Sequence, residues 1–278
     1  MSEADKKVMQ SRKGIGDDIR QIGIVTKYEL YKHIRSKRML IFIGLTVLLF
    51  ALITVLNLIL DGKLPKDPQE FIRQYVFLVF LLIIIGVSLF CAPAIASEFE
   101  ERTALLMFPR PMKKTSFFIG KMAAAYIVCG GIIAAYYAVC MVLSLINTGS
   151  IYPATYTSLG IALLFMLGAG GFSLLISSAF KKGSTAVIVT IAVLLLIFNI
   201  IDSMLSLFNI EPVFSLTYAA IDIVNVIEGL STYTLPVPEL GRSITVFYPT
   251  RTMAVSIMII WAVVTTTLSA LLFRRREF

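Results

Sequence analysis

Six long apolar stretches constrain the fold of this chain more than any other feature of its sequence. They cover residues 39–60, 74–96, 122–146, 158–180, 186–208 and 252–273. A helix needs about 20 mostly apolar residues to cross the hydrocarbon core of a bilayer. The stretches are continuous, whereas the strands of a membrane barrel alternate between apolar and polar residues. The sequence therefore predicts an all-α integral membrane protein with six transmembrane helices.

The composition supports this prediction. The chain has 278 residues, of which 58% are hydrophobic, and its mean hydropathy is +0.86. Soluble domains average about 45–50% apolar residues, and a soluble domain this apolar would expose large apolar patches to water. The first apolar stretch is too long for the central region of a secretory signal peptide, which has roughly 7–15 residues. We therefore expect it to remain in the protein as a membrane span.

The distribution of positive charge predicts the orientation. Twenty of the 25 lysines and arginines lie in residues 1–38, 97–121, 181–182 and 274–276, which alternate correctly with the six spans. Lysine and arginine are enriched in cytoplasmic loops of membrane proteins. We therefore expect a plasma-membrane protein with residues 1–38, the loop 97–121 and the tail 274–278 in the cytoplasm. The loop 209–251 would lie outside. The net charge of +8 follows from this rule and indicates no nucleic-acid partner.

Residues 212–230 are apolar enough to suggest a seventh span. They contain Asp222 and Glu228, and each acid near a bilayer centre costs about 2.5–3.5 kcal/mol on insertion scales. A seventh span would also place the basic tail on the outer side. The pattern favours a re-entrant or interfacial segment before the last helix, and an ordinary amphipathic surface loop remains the alternative.

The segment before the first span has a helical pattern. Within residues 19–38, Ile24, Tyr28, Tyr31 and Ile34 recur on one helical face. Basic residues flank this face, as is typical of amphipathic helices that lie in the membrane interface. We expect an interfacial amphipathic helix here. A solvated basic leader that only sets the topology is the alternative.

Motifs for catalysis or cofactor binding are missing from the sequence. The pair Gly120-Lys121 lacks the spacing and the Ser or Thr of a phosphate-binding loop. His33 is the only histidine, and the three cysteines lie in apolar stretches without a CxxC pair. We therefore expect no enzyme activity, no cofactor and no metal site in this chain.

Polar residues within the spans are rare. Asp202 and Asn199 lie one helical turn apart in the fifth span, and an intramembrane acid is a candidate functional site. They form our candidate substrate path. The alternative is that Asp202 lies near the outer end of its span, where water reaches it. The glycines of span four indicate close helix packing, and Pro93 predicts a kink in span two.

One dense polar insert separates the second span from the third. It begins with three acids, Glu98, Glu100 and Glu101, and continues with the short apolar stretch 103–108. Pro109 and the bases that follow end this stretch. An apolar patch framed by charges suits a protein contact. The composition alone allows either a docking element or a solvated loop.

The stretch "IASEFEERTALLMFPRPMKKTSFFIGK", residues 95–121, resembles the signature that follows the second span of ABC-2 type transporter permeases. The matching positions are Ile95, Ala96, Glu98, Glu100, Glu101, Thr103, Leu105 to Phe108, Pro111, Lys114, Gly120 and Lys121. Arg102 departs from the family pattern, which usually has glycine at that position. The six spans, the amphipathic N-terminal helix, the apolar outer segment and the basic tail extend the resemblance over most of the chain.

The resemblance implies a function. In that family the insert contains a coupling helix that contacts a separate ATP-hydrolysing subunit, which binds the ATP and Mg. The residues that would carry this contact are Glu98, Glu100, Glu101, Arg102, Thr103, Leu105, Leu106 and Pro111. The resemblance also implies a dimer with a second copy or a sister permease, and export of the substrate. A membrane scaffold or assembly factor and a self-standing secondary transporter or channel remain the alternatives, and the substrate is open.

Overall fold

The computed structural model describes residues 15–60, 62–100, 114–237 and 242–275. Within these ranges, six helices are long and apolar enough to cross a membrane. We number them as spans 1 to 6: Lys37–Ile59, Pro68–Glu98, Lys114–Thr148, Ala154–Ala179, Gly183–Leu207 and Arg251–Arg275. The predicted all-α membrane protein with six spans is confirmed.

Several spans are built from more than one helical segment. In chain order the helices are α1 Ile15–Ile34, α2 Lys37–Leu60, α3 Pro68–Val76, α4 Val79–Phe90, α5 Pro93–Glu100, α6 Lys114–Thr148, α7 Ala154–Ala179, α8 Gly183–Ile191, a π-helical segment Ala192–Ile197, α9 Phe198–Leu207, α10 Leu216–Ala220, α11 Asp222–Glu228 and α12 Arg251–Arg275. The strands β1 Tyr233–Val237 and β2 Arg242–Val246 form an antiparallel hairpin. We call the end of the bundle near residues 97–121 the insert end, and the opposite end the hairpin end.

Spans 2 and 4 form the centre of the bundle. In the most apolar part of each, 67% and 61% of the residues are buried inside the protein, against 17% in span 1 and 22% in spans 5 and 6. The outer spans therefore present most of their apolar side chains to the surroundings. Such surfaces are stable in lipid, where apolar side chains need no protein cover.

Glycines in span 4 allow its neighbours to approach closely. A Cβ atom at Gly171 would lie 2.5 Å from Thr265 Oγ1 of span 6, and one at Gly168 would lie 3.3 Å from the carbonyl oxygen of Met258. Small residues at such contacts let helix backbones pack closely in membranes. These contacts support the interpretation of the glycines as packing residues.

Span 2 is interrupted at the insert end, where Pro93 begins the separate helix α5. An interruption leaves backbone N–H groups without partners in their own helix. Here the N–H groups of Ile95 and Ala96 donate to Ser177 Oγ of span 4, at 3.0 and 3.1 Å. The helix is thus interrupted where the sequence predicts a kink, and a serine of the neighbouring span binds the freed groups.

Span 2 is interrupted a second time at the hairpin end, between α3 and α4. Phe77 and Leu78 lie in this interruption. The carbonyl oxygen of Tyr75, just before it, accepts a hydrogen bond of 2.7 Å from the Tyr136 hydroxyl of span 3. This second interruption was not predicted from the sequence, because no proline or glycine marks it.

The segment predicted as re-entrant or interfacial forms the two short helices α10 and α11. All five residues of α10 are buried, and the helix packs against spans 4 and 6. Ser158 Oγ of span 4 donates to the carbonyl oxygen of Ile223 at 2.6 Å. Helices of five and seven residues are too short to cross a bilayer. The hairpin of β1 and β2, which follows them, was not predicted from the sequence.

Helix α1 has its apolar side on the outside. The side chains of Ile24 and Tyr28 are 57% and 79% exposed, whereas Glu29 and His33 are buried against the rest of the protein. The helix packs closely along span 3, where a Cβ atom at Gly120 would lie 2.7 Å from Val25. An exposed apolar face beside a buried polar face is the arrangement expected for a helix in the membrane interface.

Candidate functional site

A cluster of buried charges lies at the insert end. Lys121 Nζ of span 3 lies 2.7 Å from Glu29 Oε1 of α1 and 2.7 Å from Glu98 Oε1 of span 2. Lys121 and Glu98 are 1% and 3% exposed. Lys32 Nζ adds a more exposed contact of 3.6 Å to Glu98. Buried charges are costly unless they are paired and hydrogen-bonded, and here two bases balance two acids.

This ion cluster joins three elements at the base of the insert. Glu29 comes from α1, Glu98 from the last turn of span 2 and Lys121 from the second turn of span 3. The Glu98 carboxylate therefore faces the interior of the protein and presents little surface to another subunit. Its predicted part in coupling would require that it transmit a movement of the insert, because direct contact with a partner is sterically limited.

His33 lies beside the ion cluster. Its ring meets the edge of the Phe90 ring, with the two centroids 5.5 Å apart. Burial lowers the pKa of His33 to about 4, although the nearby Glu29 carboxylate partly opposes the shift. The ring is therefore neutral at physiological pH. It packs as an uncharged aromatic group between α1 and span 2.

Glu100 connects the insert to span 5. Its Oε2 atom accepts a hydrogen bond of 2.9 Å from the backbone N–H of Gly183, the first residue of α8. A carboxylate at this position binds one of the free N–H groups of a helix start and interacts favourably with the helix dipole. The remaining predicted coupling residues, Glu101, Arg102, Thr103, Leu105, Leu106 and Pro111, lie outside the described residues.

A cavity of about 790 Å³ lies at the hairpin end. The interruption of span 2, the last two turns of span 5, helices α10 and α11, and strand β2 with the residues after it form its walls. Both predicted path residues, Asp202 and Asn199, line this cavity. The structure therefore brings them to one site, together with residues that are distant in sequence.

The two oxygen atoms of the Asp202 carboxylate differ in their hydrogen bonding. Oδ2 accepts hydrogen bonds from Ser215 Oγ at 2.9 Å and from Thr217 Oγ1 at 2.6 Å. Oδ1 is buried and has no hydrogen-bond partner among the described residues. Asp202 lies five residues before the end of span 5 at Leu207, which is about 7–8 Å along the helix axis. The acid is thus inside the predicted span but near its end.

Asn199 lies next to the widened π-helical turn of span 5. Its Nδ2 atom donates to the carbonyl oxygen of Leu195 at 3.0 Å and makes a longer contact of 3.3 Å with that of Leu194. π-helical turns free backbone carbonyls and are frequent at functional sites. The amide nitrogen of Asn199 therefore stabilises the irregular turn beside the cavity.

Two other polar side chains of the cavity wall, Glu228 and Tyr218, have partners within the protein. Arg73 Nη1 lies 3.3 Å from Glu228 Oε1, and the Tyr218 hydroxyl donates to Glu211 Oε1 at 2.7 Å. Burial raises the pKa of Tyr218, and its hydrogen bond to Glu211 acts in the same direction. The phenol therefore keeps its proton. The described lining residues include no lysine or arginine.

Sequence reasoning missed the partners of both sites. Ser215 and Thr217 are separated from Asp202 by a turn, so no helical or strand periodicity relates them. Glu29 and Lys121 are 92 residues apart. The sequence contains one signal, a polar side chain within or beside an otherwise apolar segment. Such a residue needs a partner, but the signal does not identify that partner.

The comparison with protein families agrees with the architecture. A family model described as "ABC-2 family transporter protein" matches residues 25–199, well over half of the chain. The match runs from α1 into span 5, and it ends at Asn199, before Asp202 and helices α10 and α11. A search of the curated proteins found no match. Among the described residues, no group of three or more His, Cys, Asp or Glu side chains could hold a metal ion.

Proposed function

The chain belongs to the ABC-2 family of transporter proteins, and on that premise we propose that it exports a substrate with energy from ATP hydrolysis on a separate subunit. Its family and its six spans make it a multi-pass membrane permease subunit. The proposal adds the energy source, the direction and the partner. ATP and Mg would bind to the partner subunit, and this chain would supply the path through the membrane.

The connections at the base of the insert carry the proposal. Glu98 pairs with Lys121 of span 3, which also pairs with Glu29 of α1, and Glu100 binds the start of span 5. A force applied to the insert would therefore act on α1 and on spans 2, 3 and 5 together. This is the mechanical arrangement that a coupling element needs, because the energy of ATP hydrolysis has to reach several helices.

The contact with the ATPase would be made by the insert itself. Glu98 and Glu100 would act at its base, and Glu101, Arg102, Thr103, Leu105, Leu106 and Pro111 would form or position the contact surface. Both termini and the insert would face the cytoplasm of a plasma-membrane protein, as the positive charges indicate. No nucleic acid takes part in this function.

The outer spans support an assembly with a second permease chain. Spans 1, 5 and 6 leave most of their apolar side chains uncovered. Lipid can cover such surfaces, and so can a second copy or a sister permease. We propose a dimer of six-span chains in the bilayer, with the substrate passing the cavity that Asp202 and Asn199 line.

A pull-down from native membranes tests the proposal. The tagged chain is purified in several mild detergents, and every partner is identified by mass spectrometry. We expect an ATPase with a phosphate-binding loop, at about one copy per six-span chain. If no such subunit appears in any detergent, ATP-driven export is wrong, and a secondary transporter or channel becomes the better interpretation.

A pair of double variants tests the position of the contact. Leu105→Asp with Leu106→Asp should abolish co-purification of the ATPase, because it places two charges in the apolar part of the insert. Ser150→Asp with Ile151→Asp introduces the same residue at the hairpin end, and it should retain the ATPase. Equal recovery of the ATPase with both double variants would show that the insert is not the contact.

A further inference from the structure

We propose that the cavity at the hairpin end binds an organic cation with an apolar body, and that Asp202 supplies the opposite charge. The inference rests on the proposed substrate path and names the class of substrate that this path would accept. It depends on three properties of the cavity: an acid without a cationic partner, aromatic walls, and a volume suited to a small molecule.

The first property is the unbalanced charge of Asp202. Two hydroxyl groups bind its Oδ2 atom, and no lysine or arginine forms an ion pair with it among the described residues. The other acid in the cavity wall, Glu228, already has the cation of Arg73 beside it. A carboxylate at this depth is stabilised by a positive charge. The cavity therefore has one negative charge available to a ligand.

The second property is the wall around this charge. Five of the described lining residues are aromatic: Phe77, Phe80, Tyr218, Phe247 and Tyr248. Aromatic faces attract cations, and quaternary ammonium groups are commonly bound between such rings. Leucine, isoleucine and valine side chains complete the apolar part of the lining. A ligand that combines a cationic centre with an apolar body would find a complement for both.

The third property is size. The cavity volume of about 790 Å³ lies within the range of roughly 300–1,000 Å³ that is typical of small-molecule sites. A bare inorganic cation would fill little of this volume. It would also need several oxygen ligands at once, whereas the Asp202 Oδ2 atom already accepts two hydrogen bonds from hydroxyl groups. The volume and the lining together favour an organic cation.

The family match covers only a small part of the cavity lining. The family match ends at Asn199, so Asp202, Ser215 and Thr217 lie beyond it. The matched part contains the base of the insert, where coupling would occur. The walls that would select a substrate come mainly from the part that follows. This division is expected where related transporters share an energy source and differ in what they carry.

Binding to the purified full chain, without an ATPase, tests the inference. The chain is placed in lipid nanodiscs, and radiolabelled tetraphenylphosphonium is titrated against it, with empty nanodiscs as the blank. Tetraphenylborate has the same shape and the opposite charge. We expect saturable binding of the phosphonium that is at least tenfold stronger than that of the borate, because the cavity wall carries a net negative charge.

Two acid-to-amide variants locate the charge. Asp202→Asn should weaken phosphonium binding tenfold or more. Asp67→Asn is the matched control, because Asp67 lies at the same end, caps α3 and does not line the cavity. It should bind the phosphonium like the unaltered chain. If Asp202→Asn fails to give folded protein, the comparison of phosphonium with borate binding on the unaltered chain still tests whether the cavity selects cations.

Three results would overturn the inference. Equal phosphonium binding by Asp202→Asn would show that this carboxyl is uncharged or remote from the ligand. Equal binding of phosphonium and borate would show a cavity without charge selection. Competitive displacement of the phosphonium by submillimolar sodium would show an inorganic cation site. Since the assay contains no ATPase, any of these outcomes leaves the proposal of ATP-driven export to be judged by the pull-down alone.

Discussion

The carboxylates at the two ends of the bundle have different kinds of partner. At the insert end, the carboxylates of Glu29 and Glu98 each lie 2.7 Å from the ammonium group of Lys121. At the hairpin end, Asp202 has hydroxyl partners on one oxygen, and no base pairs with it among the described residues. The first arrangement links helices, and the second leaves charge for a ligand. The roles that we propose for these acids therefore follow from their partners.

The same contrast holds for the two interruptions of span 2. At the insert end, Ser177 of the neighbouring span binds the backbone groups that Pro93 leaves free. At the hairpin end, Tyr136 binds one carbonyl oxygen, while Phe77 and Leu78 line the cavity. Irregular backbone at membrane depth is tolerated where it is buried in protein or lines a cavity. The interruption at the insert end is buried in protein, and the interruption at the hairpin end lines the cavity.

The largest expected effect comes from removing the buried cation of the ion cluster. Lys121→Met should lower the free energy of unfolding by about 3–5 kcal/mol, because the buried carboxylates of Glu29 and Glu98 then have only the more exposed Lys32 near them. Thermal unfolding in detergent measures the change. Lys181→Met is the control, since Lys181 is exposed in the short loop between spans 4 and 5. Equal stability of the two variants would mean that the ion cluster is not structural.

The next largest effect is the pH dependence that His33 contributes. The pKa of His33 is about 4 in the folded protein and 6.5 ordinarily, so the unfolded chain takes up the proton first as pH falls. This contribution to stability is present above pH 6.5 and is lost as pH falls from about 6.5 to about 4. It amounts to about 3 kcal/mol.

Replacing His33 with glutamine isolates this contribution. Unfolding midpoints of the unaltered chain and of His33→Gln are compared at pH 7.5 and pH 4.5. The unaltered chain should lose more stability between these two values than the variant does, because only the unaltered chain has the buried imidazole. Parallel losses in both proteins would contradict the buried, neutral state of the ring.

A smaller effect is expected from the serine that binds the interruption of span 2. Ser177→Ala should cost about 1–3 kcal/mol, because the buried N–H groups of Ile95 and Ala96 lose their acceptor. Ser178→Ala is the control on the same helix. The Ser178 hydroxyl donates only to the Leu175 carbonyl of its own helix, so its removal should cost less. The reverse order would show that the interruption does not depend on Ser177.

The smallest effect on stability is expected at Asp202. Asp202→Asn should change the free energy of unfolding by no more than about 1 kcal/mol. The amide oxygen can still accept hydrogen bonds from Ser215 and Thr217, and the cost of burying a charge disappears. Unfolding in detergent measures this value beside that of Lys121→Met. A loss as large as that of Lys121→Met would remove the contrast between the two ends and assign Asp202 a structural role.

The candidate sites could be predicted from the sequence only in part. Asp202 and Asn199 were identified because a polar residue in an apolar segment is conspicuous, and the structure places both at one cavity. The sequence predicts Glu98 and Glu100 as part of a docking element, and this stays a prediction. The structure adds that their carboxylates bind Lys121 and the Gly183 N–H of the same chain. The sequence does not reveal these contacts, because the partners of both acids come from other helices.

The six spans, the amphipathic character of α1 and the interruption at Pro93 can all be predicted from the sequence. Each of these depends on local properties: the length of an apolar stretch, the periodicity of a helical face, and the missing N–H of proline. Which charges are paired depends on the tertiary structure. Glu29 and Lys121 meet across 92 residues of sequence, and the same folding brings Ser215 and Thr217 to Asp202 without a base. Pairing depends on which helices become neighbours, and helix packing is a property of the whole bundle.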